Sequence, residues 1–130
     1  MLCTLVEVAV TSGDKTYSTA IESAENYTRW IVGRFRPFIG RRVLEVGLGH
    51  GAYRRSLPSV DHYVGLDIDA SAVEDVRQRY PTDCFMVGDI TDPELTGTLE
   101  EQLIDTVLCL NVLEHIEDDR LAIERMISIV

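Results

Sequence analysis

Three glycines, Gly47, Gly49 and Gly51, stand at alternate positions directly after the short run 43–46, in which Glu45 is the one acidic residue. Glycine adopts left-handed backbone conformations and lets a ligand approach where a Cβ would collide with it. The run before the glycines is otherwise built of β-forming residues, so the pattern predicts a buried strand that leads into a tight turn. We interpret this turn as a cradle for a nucleotide-like ligand.

The segment after the glycines favours a short helix over residues 52–57, which Pro58 would end. The unpaired N–H groups at the start of such a helix, and the positive end of its dipole, would face residues 47–51, which we call the glycine turn. Both features attract anionic ligand groups. Because glycine triplets also occur in plain turns, a turn without a ligand is the alternative for these residues alone.

A second acidic residue gives the glycine turn a more specific meaning. Asp67 lies twenty residues after Gly47 and ends another apolar run, residues 63–66. An acid at the tip of the next strand has the spacing needed to accept hydrogen bonds from both hydroxyls of a ribose. The two motifs together predict a ligand that contains a nucleoside, with its sugar at Asp67.

The composition limits the partners of the chain. It has 130 residues, the size of one domain, and a formal net charge of −10 at pH 7. Long nucleic acids and anionic membranes bind cationic surfaces, so this charge argues against both. No apolar run approaches the ~20 residues of a membrane span, and the N-terminus resembles no secretory leader. We therefore expect a cytoplasmic protein without membrane contact.

Few residues are suited to binding a metal or moving a proton. Cys3, Cys84 and Cys109 are far apart and lack CxxC or His spacing, so we predict no metal site. Glu114 and His115 are an adjacent acid and base after the last apolar run, and they are our candidates for catalytic residues. We favour a structural role for this pair at the start of a helix, because no third ligand accompanies it.

Strand and helix patterns alternate along the chain and must bring these residues together. Such alternation predicts parallel strands with helices on both faces, where ligands lie beyond the carboxyl ends of the strands. We predict an α/β fold, a Rossmann-like three-layer α/β/α arrangement with a mostly parallel sheet. The predicted strands are residues 42–46, 62–66, 84–87 and 103–110. The predicted helices are residues 22–38, 52–57, 70–80 and 121–130, with 93–102 as helix or loop.

The first of these helices begins the predicted domain, residues 22–130, after an N-terminal extension, residues 1–21. Its apolar residues recur at helical spacing, and we expect this stripe to pack against the sheet. The stripe consists of Ala24, Tyr27, Ile31, Phe35 and Phe38.

With these segments placed, the sequence resembles the class I S-adenosylmethionine-dependent methyltransferases from about residue 22 to residue 125. Four motifs in the right order support the resemblance. They are Glu45-x-Gly47-x-Gly49-x-Gly51 as the first motif, Asp67 as the ribose acid, Gly88-Asp89-Ile90 as the adenine-edge motif, and Asn111-Val-Leu-Glu-His115 after the fourth strand.

The resemblance implies a role for each residue towards the cofactor. Glu45 and the backbone of the glycine turn would face the amino-acid end, where a carboxylate attracts the ammonium. The ribose hydroxyls would bind Asp67, and Ile68 would pack on the adenine face. The remaining roles are a hydrogen bond from the adenine amino group to Asp89, one from the Ile90 N–H to a ring nitrogen, and contacts of Asn111 and Val112 near the sulfonium.

The resemblance also implies what this sequence lacks. The family's sheet continues through three further strands, so we expect an incomplete C-terminal half, with the fourth strand at an exposed edge. Exposed edges pair with other chains, and our hypothesis is a homodimer through residues 103–110 or through an exchanged N-terminal strand. The methyl acceptor, a small molecule or another substrate, is not identified.

Two other functions remain open at this point. Residues 47–52 also satisfy the GxGxxA pattern of NAD-binding oxidoreductases, in which Asp67 would bind the ribose of the nicotinamide cofactor. Glu45 and the motifs at 88–90 and 111–115 are not needed by such an enzyme. The third interpretation is a non-catalytic module that binds S-adenosylmethionine, or no ligand, and serves a partner protein.

Overall fold

The computed structural model describes residues 25–130; the predicted extension, Cys3 and Ala24 lie outside this part. This part contains four strands and four α-helices. The strands are β1 (Arg42–Val46), β2 (His62–Asp67), β3 (Cys84–Val87) and β4 (Thr106–Cys109). The helices are α1 (Glu25–Phe35), α2 (Ala70–Arg79), α3 (Pro93–Glu100) and α4 (Asp119–Ile129). Short 3-10 helices cover Arg36–Phe38, Arg54–Ser56 and Leu113–His115.

The strands form one parallel sheet in the order β3-β2-β1-β4. The chain moves from β1 to β2 and β3 on one side and returns to β4 on the other, so the order reverses between β1 and β4. Val46 pairs with both Leu66 and Cys109, and Asp67 pairs with Val87. The strands therefore end at a common border, which we call the carboxyl edge.

Helices cover both faces of the sheet, as the alternation predicts. Apolar residues of each strand point alternately to the two sides and form two separate cores. The core on the α2 side contains Val43, Leu48, Tyr63, Val73, Val76, Phe85 and Leu108. The core on the side of α3 and α4 includes Leu44, Val46, Val64, Leu66, Met86, Leu95, Leu99, Ala122, Met126 and Ile129. The three-layer arrangement is confirmed.

Three of the helices begin at an aspartate. Asp69, Asp92 and Asp118 each accept a 2.9 Å hydrogen bond from a backbone N–H two or three residues later, at the starts of α2, α3 and α4. Such N-caps stabilise a helix by roughly 1 kcal/mol each. The cap at Asp92 explains why residues 93–100, which read as helix or loop, form a helix.

The apolar stripe predicted for the first helix is wrong. Tyr27 and Phe38 are 41% and 79% exposed, whereas Thr28 and Val32 are buried. The reason is the helix's partner: α1 contacts the 3-10 segment after the glycine turn, where the hydroxyls of Thr28 and Ser56 lie 3.3 Å apart. A small polar surface suits this contact better than an aromatic one.

Two other predicted elements differ from the structure. Residues 52–57 do not form an α-helix; only the 3-10 turn Arg54–Ser56 is present, so the expected helix dipole is missing there. The fourth strand begins at Thr106, not at residue 103, because Leu103 is left-handed with φ 53° and exposed. The Asp105 carboxylate then accepts hydrogen bonds from the N–H groups of Arg41 and Arg42, at the start of β1.

Candidate functional site

The glycine turn follows β1 directly and is built on left-handed residues. The φ angle is 74° at Gly47, 51° at Gly49 and 76° at Gly51, values that residues with side chains rarely adopt. The N–H groups of Gly47 and Leu48 donate to the carbonyl of Leu66 over 2.8 and 3.2 Å. The alternate glycines thus allow a tight turn that is fixed to the end of β2.

Asp67, the last residue of β2, lies against this turn. Its side chain is 2% exposed; Oδ2 accepts the Gly49 N–H over 2.8 Å and Oδ1 accepts the Asp69 N–H over 2.9 Å. A carboxylate has about four acceptor positions, so these two bonds do not preclude a hydroxyl ligand. The next residue, Ile68, is 45% exposed and offers an apolar surface beside the carboxylate.

Glu45 is a buried acid in the middle of the sheet, with a side chain that is 2% exposed. The Tyr63 hydroxyl donates to Oε2 over 2.7 Å, whereas Oε1 is buried and has no hydrogen-bond partner within the described residues. Burial raises the pKa of the Glu45 carboxyl to about 7, although the Tyr63 hydrogen bond and the charge of Arg54 act in the opposite direction. In the register Glu45 pairs with Gly65, which places it on the same face as Tyr63 and Asp67.

The guanidinium of Arg54 lies over the ring of Tyr63. The Arg54 guanidinium lies 4.8 Å from the centre of the Tyr63 ring and 5.1 Å from that of Tyr80, and its Nε donates to Asp83 over 2.7 Å. Sequence reasoning missed this group, because its members come from three separate segments. The available signal was the alternation that places Tyr63 and Asp67 on one face of β2.

The loop after β3 reaches the same edge. The Gly88 N–H donates to the carbonyl of Asp67 over 2.9 Å, which joins this loop to the end of β2. Asp89 is exposed, and its Oδ1 accepts hydrogen bonds from the N–H and the hydroxyl of Thr91, each over 2.8 Å. The Ile90 side chain is buried in the core, so only its backbone is placed to meet a ligand.

The loop after β4 is joined to the glycine-turn segment. Asn111 has φ 57°, uncommon for a residue with a side chain, and its Nδ2 donates to the hydroxyl of Tyr53 over 2.9 Å. Tyr53 is buried, and burial is the main cause that raises the pKa of its hydroxyl. Val112 is half-buried and packs against the core on the α3 and α4 side.

Glu114 and His115, the candidate catalytic pair, lie in the short 3-10 helix Leu113–His115, and both are exposed. Both the structural role that we favoured and the catalytic role stay predictions for this pair. Among residues 25–130 no group of His, Cys, Asp or Glu side chains has the arrangement of a metal site. No helix in this range combines the length and apolar composition needed to cross a membrane.

The four loops at the carboxyl edge form one hydrogen-bonded unit. The Asp67 carboxylate binds the glycine turn, the Asp67 carbonyl binds the loop of Gly88, and Asn111 binds Tyr53 after the glycine turn. The predicted site residues are thus brought together at one border of the sheet. The arrangement suits a ligand that extends from the switch point between β1 and β4 towards β3.

The comparison with protein families agrees with this geometry. Residues 44–130, about two thirds of the chain, match the family model described as a methyltransferase domain. No curated protein matches the sequence.

Solved structures of methyltransferases share the fold. CalS10, an amino pentose methyltransferase from Micromonospora echinaspora solved with bound S-adenosylmethionine, is 21% identical with a TM-score of 0.65 over 92% of this chain. The N-methyltransferase NodS from Bradyrhizobium japonicum, solved with S-adenosylhomocysteine, is 21% identical with a TM-score of 0.67 over 92% of this chain. The sugar N-methyltransferase KedS8 from a Streptoalloteichus species is 16% identical with a TM-score of 0.65 over 98% of this chain.

The present chain spans 55%, 63% and 55% of these three proteins, respectively, so it corresponds to somewhat more than half of each. Identities of this size show a common fold. The family match over residues 44–130 goes further and agrees with the motifs at the carboxyl edge. The chain therefore belongs to the methyltransferase domain family.

Proposed function

We propose that this chain binds S-adenosylmethionine along the carboxyl edge and contains the cofactor-binding part of a methyltransferase. The observation that carries the proposal is the hydrogen-bonded joining of the glycine turn, Asp67 and the loop at Gly88 in a chain of this family. The bound cofactor would supply a methyl group on a sulfonium. The residues of the chain bind it, orient it and exclude water.

The residues present fit such a cofactor. Glu45 has a buried oxygen without a partner in the described part of the chain, and a ligand ammonium is the kind of group that would satisfy it. The three left-handed glycines leave the turn without side chains where the amino-acid end would lie. Both features concern the same end of the ligand.

The other site residues keep the roles that the resemblance implies. Asp67 would accept the ribose hydroxyls, and the exposed surface of Ile68 would pack on adenine. Asp89 and the N–H of Ile90 would bind the adenine edge, with Asn111 and Val112 near the sulfonium. Because Asp67 also holds Gly49, loss of its carboxylate would disturb the ribose contact and the glycine turn together.

Activity on an acceptor is also a proposal. Methyl transfer from a sulfonium needs mainly positioning and desolvation, with a base only where the nucleophile must lose a proton. Identities of 16–21% to sugar and other methyltransferases carry no acceptor over to this chain, so we leave its class open. Glu114 and His115 remain the candidates for a base, and a cytoplasmic location stays a prediction.

Calorimetric titration with S-adenosylmethionine, S-adenosylhomocysteine and NAD tests the proposal. We expect the two adenosyl sulfur compounds to bind and NAD not to bind. Binding of NAD alone would support the oxidoreductase alternative, which the family match already disfavours. Silence with all three ligands would support a non-catalytic module.

A variant series locates the ribose in the same titration. Asp67→Ala should weaken binding of S-adenosylhomocysteine by roughly 1–3 kcal/mol, the size of a lost hydrogen bond to a charged group. Asp67→Asn keeps an acceptor for the Gly49 N–H, so it should weaken the binding of S-adenosylhomocysteine less than Asp67→Ala does. Asp61→Ala is the matched control. Asp61 is exposed, lies just before β2 at the opposite edge of the sheet, and forms an ion pair with Arg41. Unchanged affinity in both Asp67 variants would place the sugar elsewhere.

We also propose that two copies pair through β4. Among the described strands, β4 contacts only β1, so its other side is an edge. Three apolar residues near the end of the chain are exposed: Ile123 and Ile127 on α4 and Val130 directly after it, at 42%, 68% and 63%. An unpaired strand beside exposed apolar side chains is a surface that tends to associate.

A further inference from the structure

The carboxylate of Glu45 has two very different oxygens. Oε2 accepts the Tyr63 hydroxyl over 2.7 Å, and Oε1 is buried without a hydrogen-bond partner in the range 25–130. A tyrosine hydroxyl has a single hydrogen to donate, so this bond commits it to Oε2. The carboxylate is thereby held in one orientation, with Oε1 as the oxygen that has no partner among the described residues.

Charged and titratable groups surround this carboxylate on two segments. Tyr63 and Asp67 lie on β2, and Tyr53 and Arg54 follow the glycine turn. The Tyr63 hydrogen bond and the Arg54 charge favour the ionised acid, whereas burial and the charge of Asp67 favour the neutral acid. Arg54 also lies over the Tyr63 ring and is bonded in turn to Asp83, which fixes the ring.

We propose that Tyr63 is a positioning residue of the cofactor site: its hydroxyl fixes Oε2 of Glu45 and leaves Oε1 to accept the ammonium of the ligand's amino-acid end. This inference rests on the proposed function. Tyr63 lies outside the glycine motif. Through Glu45 it would determine how strongly the site prefers a nucleoside that carries an amino-acid group over one that does not.

The arrangement couples binding to protons. A neutral Glu45 carries its proton on Oε1, because Oε2 already accepts from Tyr63. The ammonium takes the place of that proton, so the acid must ionise when the ligand binds. Affinity for S-adenosylhomocysteine should therefore rise about tenfold per pH unit below pH ~7 and level off above it. A nucleoside without the ammonium, such as 5′-methylthioadenosine, should show no such rise.

The experiment is calorimetric titration of both nucleosides between pH 5.5 and 8.5 with the wild type and two variants. Tyr63→Phe removes the hydroxyl and keeps the ring. It should move the midpoint of the S-adenosylhomocysteine profile upward by about one pH unit, because the ionised acid loses its hydrogen bond. Tyr80→Phe is the matched control, since Tyr80 also lies beside Arg54 but makes no bond to Glu45, and its profile should equal that of the wild type.

The possible outcomes separate the two proposals. If neither nucleoside binds the wild type, the proposed function fails. If both bind but the profile is flat, or Tyr63→Phe keeps the wild-type midpoint, the role of Tyr63 is overturned and the cofactor site stands. Glu45→Asp serves if Tyr63→Phe does not fold: the shorter acid is withdrawn from the hydroxyl, so the same upward shift is expected, and an unchanged midpoint contradicts the inference.

Discussion

Two buried acids on one face of the sheet differ in how they are stabilised. Asp67 accepts two backbone N–H groups, whereas Glu45 accepts one hydroxyl and has an oxygen with no partner among residues 25–130. Burial favours the neutral form of Glu45, whereas a cation beside its second oxygen would favour the ionised form. The bonds to the backbone fix the Asp67 carboxylate, and the second oxygen of Glu45 suits it to a cationic group of a ligand.

The raised pKa of Glu45 predicts how stability depends on pH. The pKa is about 7 in the folded chain against an ordinary 4.5, so the folded state binds the extra proton and loses stability as pH rises from about 4.5 to 7. Glu45→Gln removes this loss. Relative to wild type, its free energy of unfolding should increase by about 2–3 kcal/mol between pH 5 and pH 8, measured by urea unfolding without ligand. A difference that stays constant across this range would show that Glu45 does not titrate in this way.

At the residue scale, the sequence indicated the acids but not their partners. Spacing alone located Asp67 at the tip of a strand beside the glycine turn. The bond from Gly49 to Asp67 depends on the turn's backbone angles, and the pair of Glu45 and Tyr63 depends on the register of β1 and β2. Neither quantity can be obtained from composition or periodicity.

At the element scale, the glycine turn is supported by α2. A Cβ on Gly51 would lie 3.1 and 3.2 Å from the two methyl groups of Val76, and Arg79 donates a hydrogen bond to the carbonyl of His50. Gly51 also needs its left-handed φ of 76°. The turn and the helix therefore constrain each other at this glycine.

Replacement of this glycine should be costly. Gly51→Ala should lower the free energy of unfolding by about 1–3 kcal/mol, because alanine is strained at this φ and crowds Val76. Gly97→Ala is the control: Gly97 lies inside α3 with no atom within 4 Å of its added Cβ, so alanine should raise stability by up to about 1 kcal/mol. Urea unfolding measures both. Equal effects of the two substitutions would show that the turn tolerates a side chain.

The strand bounds were predicted best where burial of β-forming side chains determines the structure. The buried strands β2 and β3 carry dense β-forming runs, and their predicted bounds agree within one residue. The buried face of α1 could not be predicted from periodicity. Its aromatic residues have helical spacing, but the residues that are buried, Thr28 and Val32, lie on a different side of the helix. The predicted start of β4 was wrong because Leu103, although apolar, has a left-handed backbone conformation.

At the scale of the fold, residues 25–130 form four parallel strands with helices on both faces, and β4 is an edge among these described strands. The α/β class and the single carboxyl edge followed from the alternation of elements, whereas the strand order came only from the structure. The exposed residues of α4 are mixed: Ile123 and Ile127 are apolar, whereas Arg120 and Glu124 form an exposed ion pair on the same helix.

The proposed pairing through β4 has a direct test in solution. Light scattering after size exclusion should give a mass that rises with protein concentration from 14.6 kDa towards about twice this value. Apolar association should be little weakened by salt, because charges do not drive it. A mass of one chain at every concentration would remove the dimer from the account.

We propose that loops after the four parallel strands hold one adenosyl group along the carboxyl edge. A crystal structure of the chain with S-adenosylhomocysteine tests this directly. We expect the ribose hydroxyls within hydrogen-bond distance of the Asp67 carboxylate and the ligand's ammonium nearest Oε1 of Glu45. A ligand bound away from both acids, or with its ends reversed along the edge, would contradict it.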